Sequence, residues 1–218
     1  MDYTISVVLS FLIAVPAVIG CIRLKNIDAT WCPFVFCLVA GLLNEIISFV
    51  LITSGRPNTI VYSIYGYVES ALLIWQFALW RNNGKATVYW LLFFCITVFR
   101  VVSFNGVLDG GPALDSYFII SYSFIIVVLG VNRMNKLIVA TKDYLLKNPA
   151  FLICIGLVMF YSYSIMVEIF WLYGLDASAS FSARVYDILA FINLTVNFIF
   201  TLAVIWIPNK QKFILQSS

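Results

Sequence analysis

Five ionisable side chains stand inside apolar runs long enough to cross a bilayer: Glu45, Glu69, Arg100, Glu168 and Asp187. A charge at the bilayer centre costs about 2.5–3.5 kcal/mol even on insertion scales, so each of these groups is a functional-site candidate. Four acids face a single arginine. Either some of them are protonated at neutral pH, or a cationic or hydrogen-bonding ligand sits among them. Helical spacing adds partners: Tyr62, Tyr65, Glu69 and Gln76 share one face, as do Tyr161, Ser164, Glu168 and Trp171, and likewise Tyr186, Asn193, Asn197 and Thr201. In hydrocarbon such stripes must turn inward, toward other helices. The Asn and Tyr residues would serve equally well as hydrogen-bonded glue between helices, with Arg100 neutralising one acid. The candidate ligand, proton or ion site is therefore Glu45, Glu69, Arg100, Tyr161, Glu168, Asp187, Asn193 and Asn197.

The elements that must position these groups follow from composition. Of 218 residues, 63% are hydrophobic and 11% charged, which reads as an integral membrane protein rather than a soluble domain. At about 20 apolar residues per crossing, the chain divides into seven helices, over 5–22, 34–53, 60–80, 86–104, 116–139, 150–173 and 184–207. The expectation is an all-α, polytopic seven-helix bundle forming one domain over 1–218. The links SGRPN, RNNG and NGVLDGGP are turn-forming clusters. VLDGGPALD and GLDASAS read as ordinary loops. The longest link, NRMNKLIVATKDYLLKNP, reads as a possible interfacial helix because apolar residues alternate with lysines.

Lysine and arginine set the orientation. Arg23, Lys25, Arg81, Lys85, Arg133, Lys136, Lys142, Lys147, Lys210 and Lys212 fall on one side, against Arg56 and Arg184 on the other. By the positive-inside rule this places the N-terminus outside and the C-terminus in the cytoplasm. The four acids and Arg100 then all lie between the midplane and the outer surface, as a cavity open to the outside would require. The start, MDYTIS, lacks a basic n-region and reads as the beginning of an uncleaved first helix. Cys21, Cys37, Cys95 and Cys154 lie in helices and Cys32 on the cytoplasmic side, so free thiols are expected.

Several chemistries are excluded by residue type. The chain contains no histidine, which removes bis-histidine haem, histidine-zinc hydrolases and Ser-His or Cys-His nucleophilic catalysis. A retinal Schiff base needs a lysine in the last helix, and every lysine lies in a link or tail. Tyr186-Asp187 has no companion GxGD stretch, so an intramembrane aspartyl protease is not supported. Neither an enzyme nor a metal or other cofactor is expected, and no basic run suggests nucleic acid.

The chain also carries a possible internal duplication. Glu45 precedes Tyr62 by 17 residues and Glu168 precedes Tyr186 by 18, while Glu69 and Asn193 each lie 7 beyond those tyrosines. Pro33 and Pro149 open the two blocks. Helices 1–3 and 5–7 would then be parallel repeats joined by helix 4, a plan that resembles the SWEET sugar transporters. A PQ-type motif is absent, and Pro16 of helix 1 has no counterpart within 116–139. The phrases LLNEIISFVL, YGYVESALLIWQF, VEIFWLYGL and INLTVNFIFTLAVIWIP are similar to those of a family of seven-helix bacterial membrane proteins to which no activity is assigned. That resemblance implies a bacterial inner membrane.

Functionally, the pattern points to a receptor-like or regulatory protein whose cavity binds a small polar or cationic ligand. Its basic loops, through Arg133, Lys136, Lys142 and Lys147, would engage a cytoplasmic signalling or effector partner. A small solute or proton-coupled transporter using Glu45 and Glu69 is the alternative, and an intramembrane hydrolase the least supported reading.

Overall fold

Capping residues mark several of the helix ends in the computed structural model, which describes residues 3–81, 86–108, 113–140, 145–173 and 179–210. The chain forms α1 (Tyr3–Ser10), α2 (Ala14–Arg23), α3 (Cys32–Thr53), α4 (Thr59–Leu79), α5 (Ala86–Leu108), α6 (Ala113–Ala140), α7 (Pro149–Leu172) and α8 (Ala179–Trp206). A 3-10 turn, Phe11–Ile13, joins α1 to α2 in one continuous rod. This turn lies where Pro16 removes an N–H and its ring would crowd the carbonyl of Leu12. No strand occurs among the described residues, apart from one antiparallel bridge between Ile27 and Asn209.

Capping explains three of the boundaries. Asn148 accepts from the backbone N–H groups of Ala150 (3.0 Å) and Phe151 (3.3 Å), with Pro149 following as the first residue of α7. Asp28 accepts from the N–H of Thr30 at 2.8 Å and caps the 3-10 turn Ala29–Trp31 that leads into α3. At the other end of α3, Gly55 adopts φ 70°, which lets Gly55 N–H reach Ile52 O (3.0 Å) and Arg56 N–H reach Leu51 O (2.9 Å). This is the Schellman termination that a glycine supplies without strain.

Five stretches are long and apolar enough to cross a membrane: Ala29–Thr53, Ala86–Ser103, Asp115–Ala140, Pro149–Leu172 and Asp187–Trp206. Their outer faces are apolar: Val50, Phe94, Phe124, Phe191 and Phe198 are exposed, as lipid-facing residues must be. The chain is a helical, multi-pass membrane protein. The two other expected helices are present, one of them apolar but shorter over the described residues and the other more polar. The first rod offers only Val7–Arg23, and α4 spends much of its length on Ser63, Tyr65, Gly66, Tyr67, Glu69, Ser70 and Gln76.

The longest expected link is corrected. Its first nine residues continue α6 to Ala140 instead of forming a separate interfacial helix. No Gly or Pro interrupts the stretch, and Met134 and Leu137 pack against the core. The part around Lys142 lies outside the described residues, and Leu145–Lys147 form a 3-10 turn.

Packing follows a closed order. The α1–α2 rod contacts α3, α3 contacts α4, α4 contacts α6, α6 contacts α7, α7 contacts α8, and α8 returns to the first rod. α5 lies outside this ring against α4 and α6. α3 and α7 face each other across the interior without close packing.

The end of the ring that carries Arg23, Lys25, Arg81, Arg133, Lys136 and Lys210 is filled. Trp31 and Trp80 meet edge-to-face at 5.3 Å, Phe77 and Trp80 at 5.8 Å, and Phe34 and Phe200 at 5.2 Å. Arg23 donates to the carbonyls of Val204, Ile205 and Ile207 and to Asn209 Oδ1, and so clasps the end of α8. Positive charge there also suits the helix C-terminus.

Candidate functional site

The closed ring leaves an interior cavity of about 250 Å³. Every element of the ring lines it: Ser10 and Ile13 from the first rod, Asn44 and Glu45 from α3, Tyr62, Tyr65 and Glu69 from α4, Tyr122 from α6, Tyr161 and Glu168 from α7, and Asn193 and Asn197 from α8. Its floor is the aromatic plug. Within that plug Gln76 accepts from Phe34 N–H (2.9 Å) and donates to Thr30 O (2.6 Å). The first-turn N–H groups of a helix have no partner within it, so Gln76 completes the start of α3. It is glue, although it shares a face with Glu69.

Glu69 is the most buried acid of the cavity. It is buried, its Oε1 accepts from Tyr65 at 2.6 Å and its Oε2 from Tyr122 at 3.2 Å. The Tyr161 hydroxyl stands close enough to interact with the same carboxyl. Phenol donors on both oxygens suit a carboxylate, which accepts at each oxygen. Toward the end of the cavity remote from the plug, Glu45 approaches Ser10 of the first rod and Glu168 approaches Ser116 of α6. Both are half-buried. Asn44 is 7% exposed, lines the same cavity, and its Oδ1 has no hydrogen-bond partner. A buried carbonyl oxygen left unpaired costs about 1–3 kcal/mol, so it is suited to a donor entering the cavity.

Six of the eight expected residues, Glu45, Glu69, Tyr161, Glu168, Asn193 and Asn197, line this one space; Arg100 and Asp187 do not. Arg100 pairs with Asp115, lies 4.8 Å from the Phe118 ring centre and reaches Ser103 Oγ at 3.4 Å. Asp115 in turn accepts from the Ser63 hydroxyl at 2.7 Å. This correction matters for the charge count: the arginine pairs with an acid that the sequence places at a loop end and is not among the residues that line the cavity. Asp115 is the residue that sequence reasoning missed. Its signal was positional, because Arg100 near the end of one span and Asp115 at the start of the next lie at similar depth when the intervening link is short.

Of the polar stripes, Trp171 is exposed and Thr201 donates to the carbonyl of Asn197 at 2.7 Å. The side chain of Tyr186 lies outside the described residues. Of the four basic residues considered for docking, Arg133 lies over the Trp80 ring at 5.9 Å, Lys136 and Lys147 are exposed, and Lys142 lies outside the described residues. All five cysteines are free, and Cys37 and Cys154 are buried.

The cavity thus combines three carboxyls, tyrosine hydroxyls and faces, and amide oxygens, with no lysine or arginine among its lining residues. At roughly 30 Å³ per water, its volume corresponds to about eight waters. No protein-family model, curated protein or solved structure matches this chain.

Proposed function

We propose that this protein binds a small organic monocation, an amine or quaternary ammonium, in the interior cavity, entering from the end opposite the basic one. The observation that carries the reading is that Glu45, Glu69 and Glu168 share one cavity whose lining holds no lysine or arginine. Burying carboxylates without a counter-charge is costly. A bound cation removes that cost, and the tyrosine and phenylalanine faces add cation–π attraction. The volume limits the ligand to well below drug size.

In this reading the chain spans a bacterial inner membrane seven times, with its N-terminus outside and its basic end in the cytoplasm by the positive-inside rule. The cavity then opens outward. A receptor-like or regulatory role is supported by the filled, hydrogen-bonded cytoplasmic end, which suits sensing of an external ligand and relay to a partner at Lys136 and Lys147. A carrier is favoured by a different observation. The ring divides into two three-helix sets, the first rod with α3 and α4 and α6 with α7 and α8, and the cavity lies between them, which is where repeat-built transporters place their sites.

The test is calorimetric titration of the purified protein with tetramethylammonium and with a neutral isostere of the same shape. Binding of the cation alone, lost in Glu69→Gln while the thermal midpoint holds, is the expected result. Equal affinity for both compounds would sink the proposal. Uptake of labelled cation into proteoliposomes then separates carrier from receptor.

A further inference from the structure

A second, apolar space lies on the outer side of the ring, between α4 and α5. These two helices are tied together at the end remote from the basic one. The Tyr67 hydroxyl meets Thr97 Oγ1 at 3.2 Å, and the Arg100–Asp115–Ser63 cluster joins α5, α6 and α4. Toward the basic end no hydrogen bond links α4 to α5 among the described residues. There they enclose a groove of about 420 Å³. Its walls are alkyl and aromatic, with Ala71, Trp75 and Ala78 on one side and Tyr89, Trp90 and Phe93 on the other. Small residues at Ala71 and Ala78 leave the depth, and Trp75 and Trp90 stand exposed along the rim.

We propose that this groove is a binding site for an anionic phospholipid of the surrounding bilayer, one acyl chain lying between α4 and α5 and the headgroup phosphate at Arg81. Two observations fix this occupant. The first is charge: Arg81 is exposed at the end of the groove, and the lining holds no acidic residue. A guanidinium there recognises phosphate by charge-assisted hydrogen bonds. The second is length. From Ala71 to Leu79, its last residue, α4 rises about 12 Å at 1.5 Å per residue, and Arg81 follows two residues on, so the groove spans close to half of the roughly 30 Å hydrocarbon core. The groove therefore matches one leaflet, and Arg81 stands where that leaflet's phosphates lie. Tyr89 and Trp90 on the facing helix are residue types that settle at that same interface.

The inference is independent of what the interior cavity binds. It is tested by native mass spectrometry of the full chain, released from detergent after exchange with dioleoylphosphatidylglycerol, dioleoylphosphatidylcholine or glycerol 3-phosphate. Phosphatidylglycerol should be retained in preference to phosphatidylcholine, and glycerol 3-phosphate not at all, since it lacks the chain that fills the groove. Arg81→Gln should lower phosphatidylglycerol retention about fivefold, the effect of one basic residue at a membrane surface. Ala78→Phe, which fills the groove, should remove it; Ala71→Phe serves if that variant fails to fold. Equal retention of the two phospholipids, retention of glycerol 3-phosphate, or phosphatidylglycerol retention unchanged in Arg81→Gln would each overturn the proposal. So would a lipid-independent dimer that buries Trp75 and Trp90.

Discussion

Asp115 illustrates how one buried carboxylate organises its surroundings. It accepts from both Arg100 and Ser63 and is itself buried, so removing its charge takes a carboxylate partner away from a buried guanidinium. Breaking a buried pair from one side costs about 3–5 kcal/mol, and Asp115→Asn should lower the thermal midpoint in detergent accordingly. The double variant with Arg100→Gln should lose less than the sum of the single changes, since it leaves no uncompensated charge. A purely additive result would show that the two groups do not depend on each other. The acids at 45, 69 and 168 were legible in the sequence because a charge within a long apolar run stands out against its neighbours. Asp115 was not, because it follows the turn cluster GGP and so looked solvated. Gln76 misled in the opposite direction: its spacing from Glu69 is right for a shared face, but about two further turns carry it out of the cavity and into the plug.

At the scale of elements, apolar length and capping residues predict helix ends well. The expected 34–53, 60–80 and 150–173 correspond to Cys32–Thr53, Thr59–Leu79 and Pro149–Leu172. What spacing could not supply was the closeness of neighbouring helices. A Cβ placed on Gly156 of α7 would lie 2.4 Å from the Phe200 ring of α8, which also meets Phe34 edge-to-face. Gly156→Val should therefore destabilise by about 1–3 kcal/mol, the range for overpacking, as read by thermal unfolding. Since Phe200 also lines the cavity, the same variant should weaken binding of tetramethylammonium. A variant with native stability would mean that α7 and α8 separate without cost. The 3-10 turn at Phe11–Ile13 was only half legible: Pro16 announced an irregularity, but its place three to five residues upstream follows from the carbonyl that the ring crowds.

At the scale of the whole molecule, the ring order was not legible, because nothing in a one-dimensional pattern says that the last helix returns to the first. That return is fastened at one end by Arg23, whose guanidinium holds three carbonyls at the end of α8 and Asn209, and by Lys210 N–H to Asn26 O at 2.7 Å. Arg23→Gln should loosen this seam. A cysteine pair placed across α2 and α8 should then cross-link more slowly than in the parent while helix content is unchanged; an unaltered rate would show that apolar packing alone holds the seam. The seam also gives the cavity a history. As the chain is made from its N-terminus, the ring lacks one stave until α8 is in place, and until then Glu69 and its tyrosines have hydrocarbon where Asn193 and Asn197 will stand. The acidic interior is complete only once α8 is inserted, so a chain that stalls before α8 holds Glu69 through tyrosines of α4, α6 and α7 alone, with one wall of its cavity missing.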